Sequence, residues 1–191
     1  MSEIISRELV HLAQQGDPRA IQELVERFRK PLFHYACNHL GNESEAEDLT
    51  QEVLFKAVRA LPAFKGDAAI GTWLFRIMVN TCIDYQRKQN GHRIFSLDKP
   101  FGEEDSAQLE LKDNGLLPDE IVERIELRSS VLEALKILSP EHRTIVILHD
   151  INSFKYNEIA GIMKISIGTV KSRLFYARRE LRKLLAPLME G

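Results

Sequence analysis

Apolar residues recur at three- and four-residue spacing along both ends of this 191-residue chain, and the recurrence stops between Asn90 and Ile121. Such spacing marks amphipathic helices. No strand-like alternation of useful length breaks it, so the chain is confined to helix packed on helix. The interruption holds Gly91, Pro100, Gly102, Gly115 and Pro118 with the acidic run Glu103, Glu104 and Asp105. The predicted fold class is therefore all-α: two small helical domains, residues 1–93 and 121–191, joined by a flexible acidic linker at 94–120.

Local signals place the helices. The first is expected over Ser6 to Gln15, stopped by Gly16. Asp17-Pro18 reads as an N-cap followed by proline at the first helical position. The second helix then runs to Gly41, kinked or restarted at Pro31. Ser44 and Glu47 offer a capping box for a third, ending near Leu61. A fourth spans Ile70 to Gln89. Helical pattern returns at Asp119, an N-cap candidate, and Ser139-Pro140-Glu141 caps the next helix. Phe154 to Met163, a break at Lys164 to Ser166, and a final helix from Ile167 to about Leu185 complete the chain.

Several function classes are excluded by what is missing. No run of about 18 apolar residues exists, so no membrane insertion is expected. Met1 to Leu12 lacks an apolar signal core, which points to the cytoplasm. Cys37 and Cys82, the only cysteines, sit far apart in apolar stretches and form no disulfide framework. His34 and Cys37 share a helix face, but His39 points elsewhere, one ligand short of a zinc site. GxxxxGK[ST], GxSxG, HExxH and CxxC are all absent. The chain reads as not an enzyme, with no cofactor and no metal.

A net charge of −2 conceals an uneven distribution. Residues 1–95 carry 12 basic and 12 acidic side chains, residues 96–129 carry 4 and 10, and residues 130–191 carry 10 and 6. The tail is thus basic behind an acidic middle, which suits a nucleic-acid partner.

Phe154 to Lys183 has the form of a helix-turn-helix. On the final helix Ile167, Val170, Leu174, Ala177, Leu181 and Leu184 share one side. Lys171, Ser172, Phe175, Arg179, Arg182 and Lys183 occupy the other, free to enter a major groove. Lys171 and Ser172 lie near the helix start, where base contacts occur. Arg178, Arg179, Arg182 and Lys183 suit phosphates. Glu158 in the preceding helix could reach a base edge. The plainer reading is a solvated basic face.

The head offers two more surfaces. On the third helix Asp48, Gln51, Glu52, Lys56 and Arg59 form a polar arc with Phe55 inside it. That placement fits a partner hot spot, or equally a phenyl ring packed beneath another helix. On the fourth helix Leu74, Phe75, Met78, Val79, Cys82 and Tyr85 oppose Trp73, Arg76, Asn80, Asp84, Arg87 and Lys88. An aromatic, an amide and cations together can hold unstacked bases, although Trp73 also reads as at least partly structural.

In order and over nearly the full length, these segments resemble the extracytoplasmic-function sigma factors of bacterial RNA polymerase. "GDPRAIQELVERF", "AEDLTQEVLFKAVRAL" and "FKGDAAIGTWLFRIMVNTCIDYQRK" resemble the first sigma domain. "LSPEHRTIVILHDINSFKYNEIAGIMKISIGTVKSRLFYARREL" resembles the second. The resemblance implies that Asp48, Gln51, Glu52 and Phe55 dock on core RNA polymerase. It implies that Trp73, Arg76 and Asn80 lie near the separated strand of the minus-ten element. The Gly66-Asp67-Ala68 turn and the loop after Arg87 would capture a flipped base. Thr169, Lys171, Ser172, Arg173, Phe175 and Arg178 would meet the minus-thirty-five promoter DNA. It also implies an acidic linker threaded through the polymerase and a dedicated anti-sigma factor. A plain helix-turn-helix repressor is the rival reading, since it needs only the tail.

Overall fold

A computed structural model describes residues 7–95 and 118–189. Among these residues the chain is helical and contains no strand, as its periodicity predicts. The helices are α1 (Arg7–Gln14), α2 (Pro18–Leu40), α3 (Glu43–Ala60), α4 (Ile70–Phe95), α5 (Pro118–Ile137), α6 (Pro140–Val146), α7 (Tyr156–Met163) and α8 (Ile167–Met189). A single 3-10 turn, Leu61–Ala63, follows α3, and a π-helical turn, Ile147–Ile151, extends α6. The linker expected at 94–120 lies almost wholly outside the described residues.

The front lobe comprises α1 to α4. Asp17 caps α2, accepting the Ala20 N–H at 2.8 Å with Pro18 in the first turn. Gly41 ends α2 in the left-handed conformation, φ 73°, and its N–H reaches the Cys37 carbonyl. Few side chains adopt that φ without strain. Pro31 does not restart the helix: α2 is one element of 23 residues with the proline inside it. The cap of α3 also differs from expectation. Asn42, not Ser44, accepts from the Glu45 N–H at 2.9 Å, which starts the helix two residues early. Glu43 and Glu45 then sit in the first turn, where the helix dipole favours acids. Leu24, Phe28, Leu32 and Tyr35 of α2 meet Leu49, Val53 and Ala57 of α3 and Leu74, Phe75, Met78 and Cys82 of α4 in a common core.

The rear lobe comprises α5 to α8. Asp119 falls inside the first turn of α5 and not before it. Ser139 caps α6 as expected, accepting from the His142 N–H at 3.3 Å. Leu135, Leu138, Ile145, Leu148, Ile159, Ile162, Val170, Leu174 and Ala177 are buried here. Ile167, assigned to the apolar side of α8, is instead 47% exposed, because the helix begins there, ahead of the turn that packs. The two lobes touch. Phe75 and Phe154 meet edge-on at 4.7 Å between ring centroids, and the buried residues of both lobes form one cluster.

Candidate partner- and nucleic-acid-binding surfaces

The first surface is the outer side of α3. Its inner stripe, Leu49, Val53 and Ala57, is buried, which turns Asp48, Gln51, Glu52 and Phe55 outward together. Phe55 is 64% exposed. The alternative in which its ring packs beneath another helix is therefore not the one found. Arg59 stands 5.6 Å from the ring centroid, over its face, and Lys56 pairs with Glu52. An exposed phenyl ring rimmed by carboxylates offers apolar contact with acids placed to orient a basic partner.

The second surface is built by α4 and the turn before it, and it is split. Asn80, Arg87 and Lys88 are exposed, with Arg87 3.6 Å from Asp84. Trp73 is half-buried and lies against Phe64 at 5.1 Å, so its structural role is plain. Arg76 is half-buried and tied to the rear lobe: its Nε and Nη2 donate to the Gly161 carbonyl in α7, at 3.1 and 2.8 Å. The turn itself is tied to α1, whose Gln14 amide donates to the Leu61 and Phe64 carbonyls. Gly66 sits there at φ 76°. A cleft of about 930 Å³ opens beside it, its lining including Arg7, His11, Lys65, Gly66, Thr72 and Phe154.

The third surface is α8. Lys164 takes the left-handed conformation at φ 54°, which lets α7 stop and the chain reverse within three residues. Ser166 then caps α8, accepting the Thr169 N–H at 3.0 Å and pairing with its hydroxyl at 2.8 Å. Val170, Leu174 and Ala177 are buried against the lobe, so Lys171, Ser172, Phe175 and Arg179 stand outward. Tyr156, Lys171, Phe175, Arg178, Arg179 and Arg182 line an open groove. Thr169 is occupied in the cap, and Arg173 is half-buried. Arg178 is not a free cation: it forks onto Asp150 of the π-helical turn and touches His149. The Arg178 fork and the His149 contact together hold the Asp150 carboxyl below its usual range, although its burial acts the other way. Glu158 does not reach outward for a base; its carboxylate accepts the Lys155 N–H at 2.8 Å and caps α7.

Buried titratable groups lie between these surfaces. His39 is buried and stacked on Tyr35 with centroids 5.6 Å apart. Burial, aided by the nearby Arg143 cation, lowers its pKa to about 3, so the ring is neutral. Burial pushes the Cys37 and Cys82 thiols up to about 12. Among the described residues no three metal-ligating groups converge.

Comparison with known proteins assigns the chain to a family. The profile of Sigma-70 region 2 matches residues 24–92, and that of Sigma-70 region 4 matches residues 128–181. The chain is 32% identical to the RNA polymerase sigma-H factor of Pseudomonas aeruginosa, over 96% of this chain and 95% of that protein. It belongs to the extracytoplasmic-function sigma factors. The sigma-E factor of Escherichia coli K12, itself named as an extracytoplasmic-function RNA polymerase sigma factor, is 33% identical, with 95% and 94% covered. Among solved structures, the sigma factor RpoE of Bartonella quintana in complex with the anti-sigma factor NepR superposes with a TM-score of 0.68. It is 28% identical and covers 86% of this chain and 96% of that one.

In this sigma factor region 2 therefore contains α3 and most of α4, and region 4 contains α7 and most of α8. Three residues escape a sequence reading. Tyr176 is 51% exposed beside Phe175, with Arg179 5.3 Å from its ring; its place one step from Phe175 on the helix could have signalled it. Asp150 and Arg143 act across the fold, and nothing local marks them.

Proposed function

We propose that this sigma factor directs core RNA polymerase to promoters and helps open them, with no catalytic step of its own, in the cytoplasm. The α3 face, Asp48, Gln51, Glu52 and Phe55, docks on the polymerase. Asn80, Arg87 and Lys88, with Trp73 and Arg76 behind them, meet the separated minus-ten strand. Lys171, Ser172, Phe175 and Arg179 enter the minus-thirty-five major groove, Thr169 and Arg173 support that helix face, and Arg178 lies at the groove's edge. An anti-sigma factor of the kind seen with RpoE of Bartonella quintana is the proposed negative regulator.

The observation that carries this reading is the exposed Phe55 on an acid-rimmed helix, well apart in sequence from the basic helix α8. A repressor needs the second and has no use for the first. Strand separation costs a few kcal/mol for each base extruded. Here that cost is offset by binding: polymerase supplies a charged channel, and the cleft beside Gly66 receives an extruded base. Opening then needs no nucleotide hydrolysis.

Transcription in vitro tests the proposal. Core polymerase with this chain should start at discrete promoter sites that core polymerase alone ignores. A chain that binds duplex operator tightly by itself, and leaves the start sites of polymerase unchanged, would instead be a repressor.

A further inference from the structure

We propose that the free sigma factor latches its two lobes on each other, and that Arg76 is one of the bolts. Reading the minus-ten strand with Arg76 and keeping the latch closed are then mutually exclusive.

The junction is built twice from the same chemistry. The last carbonyls of a helix have no partner within the helix and carry its negative dipole end. In the front lobe α2 ends at Leu40, and its His39 carbonyl accepts from Nη1 of Arg143, a rear-lobe residue, at 2.7 Å. In the rear lobe α7 ends at Met163, and its Gly161 carbonyl accepts from Nε and Nη2 of Arg76, a front-lobe residue. Each lobe thus sends one arginine onto the terminal turn of a helix in the other.

Arg143 does more than cross. Its Nε donates to the Leu135 carbonyl at 2.7 Å, and Nη2 reaches the carbonyls of Lys136 and Leu138. One buried guanidinium so closes the ends of α5 and α2 together. Beside it the Lys136 stem crosses Gly41 so closely that a β-carbon at Gly41 would lie 2.1 Å from its Cε. Tyr35 donates to the Thr144 hydroxyl at 3.5 Å. Between the two bolts Phe75 and Phe154 supply the apolar contact.

The latch leaves Phe55, Lys171 and Phe175 exposed. A closed chain therefore still presents its polymerase-docking face and its basic helix while it withholds Arg76. Polymerase docking precedes opening, and opening precedes contact with the melted strand. This consequence rests on the function proposed above; the latch itself does not.

A reversible lock tests both. An ideal β-carbon on Gly161 lies 3.7 Å from Cγ2 of Thr72, close enough for a disulfide after T72C and G161C. Gly161 belongs to none of the binding surfaces, whereas the buried Thr72 lines the cleft beside Gly66, so the reduced double variant is the reference for activity; the native thiols are buried. Under copper–phenanthroline the free double variant should form an intramolecular disulfide within minutes, seen as faster migration on a non-reducing gel. The locked protein should lose at least 90% of promoter-directed transcription and regain it on reduction. A pair that fails to cross-link faster in the native chain than in urea would overturn the latch, as would a locked protein as active as the reduced one. X-ray scattering by the unmodified chain gives a second reading that needs no variant: one compact body supports the latch, and two separated bodies refute it. If the unmodified chain fails to direct transcription, the function falls, while cross-linking and scattering still decide the latch.

Discussion

Phe55 and Phe75 show how one residue type takes two roles. Phe75 is fully buried between the lobes, and Phe55 is 64% exposed. Truncating a buried Phe costs about 3–5 kcal/mol, so Phe75→Ala should lower the melting temperature by ten degrees or more. Phe55→Ala should leave it within about two degrees, yet weaken polymerase binding tenfold or more by fluorescence titration. Unchanged affinity would remove Phe55 from the docking surface. His39 makes a different prediction. Its pKa is about 3 in the folded chain and about 6.5 in an unfolded one. The folded state therefore keeps its full stability above about pH 6.5 and loses it as pH falls towards 3, where the unfolded chain gains a proton that the folded chain refuses. Between pH 6.5 and 5 the loss is on the order of 1–2 kcal/mol. Urea titrations at the two pH values should show it, and His39→Gln should reduce the difference.

At the scale of elements, α8 works because its two sides are segregated: Val170, Leu174 and Ala177 fix it to the lobe, and the opposite side is left to solvent. If Lys171 and Arg179 each neutralise one phosphate, replacing both by Ala should lower the slope of log affinity against log salt by about 2. Duplex binding at several salt concentrations measures this, and an unaltered slope would assign both side chains to solvent. The helices themselves were legible in the sequence, because period and caps are local: Asp17, Gly41, Ser139 and the break at Lys164 all act within four residues. The misreadings were local rivals. Asn42 outcompeted Ser44 for the cap of α3, and Glu158 spent its carboxylate on its own backbone. The intramolecular ties of Arg76 and Arg178 were invisible for another reason. Their partners, Gly161 and Asp150, lie 85 and 28 residues away, beyond any periodic signal.

At the scale of the whole molecule, residues of both regions share one buried cluster. The isolated sigma factor should therefore unfold in one cooperative calorimetric transition, whereas lobes that merely trail each other would melt in two. Breaking the Arg143 crossing by Arg143→Met should separate the transitions or lower the single one, since the His39 carbonyl keeps only the Gln86 amide at 3.4 Å and the Leu135 and Lys136 carbonyls lose the guanidinium. The division into two lobes was visible from the interruption in period and charge; their closure was not, because it depends on carbonyls that every sequence possesses. One last property follows from Cys37 and Cys82. With thiols pushed up to about 12, roughly one in 10⁵ is ionised at neutral pH. Peroxide reaching the folded chain finds almost no thiolate to attack, so both thiols should resist oxidation until the chain unfolds.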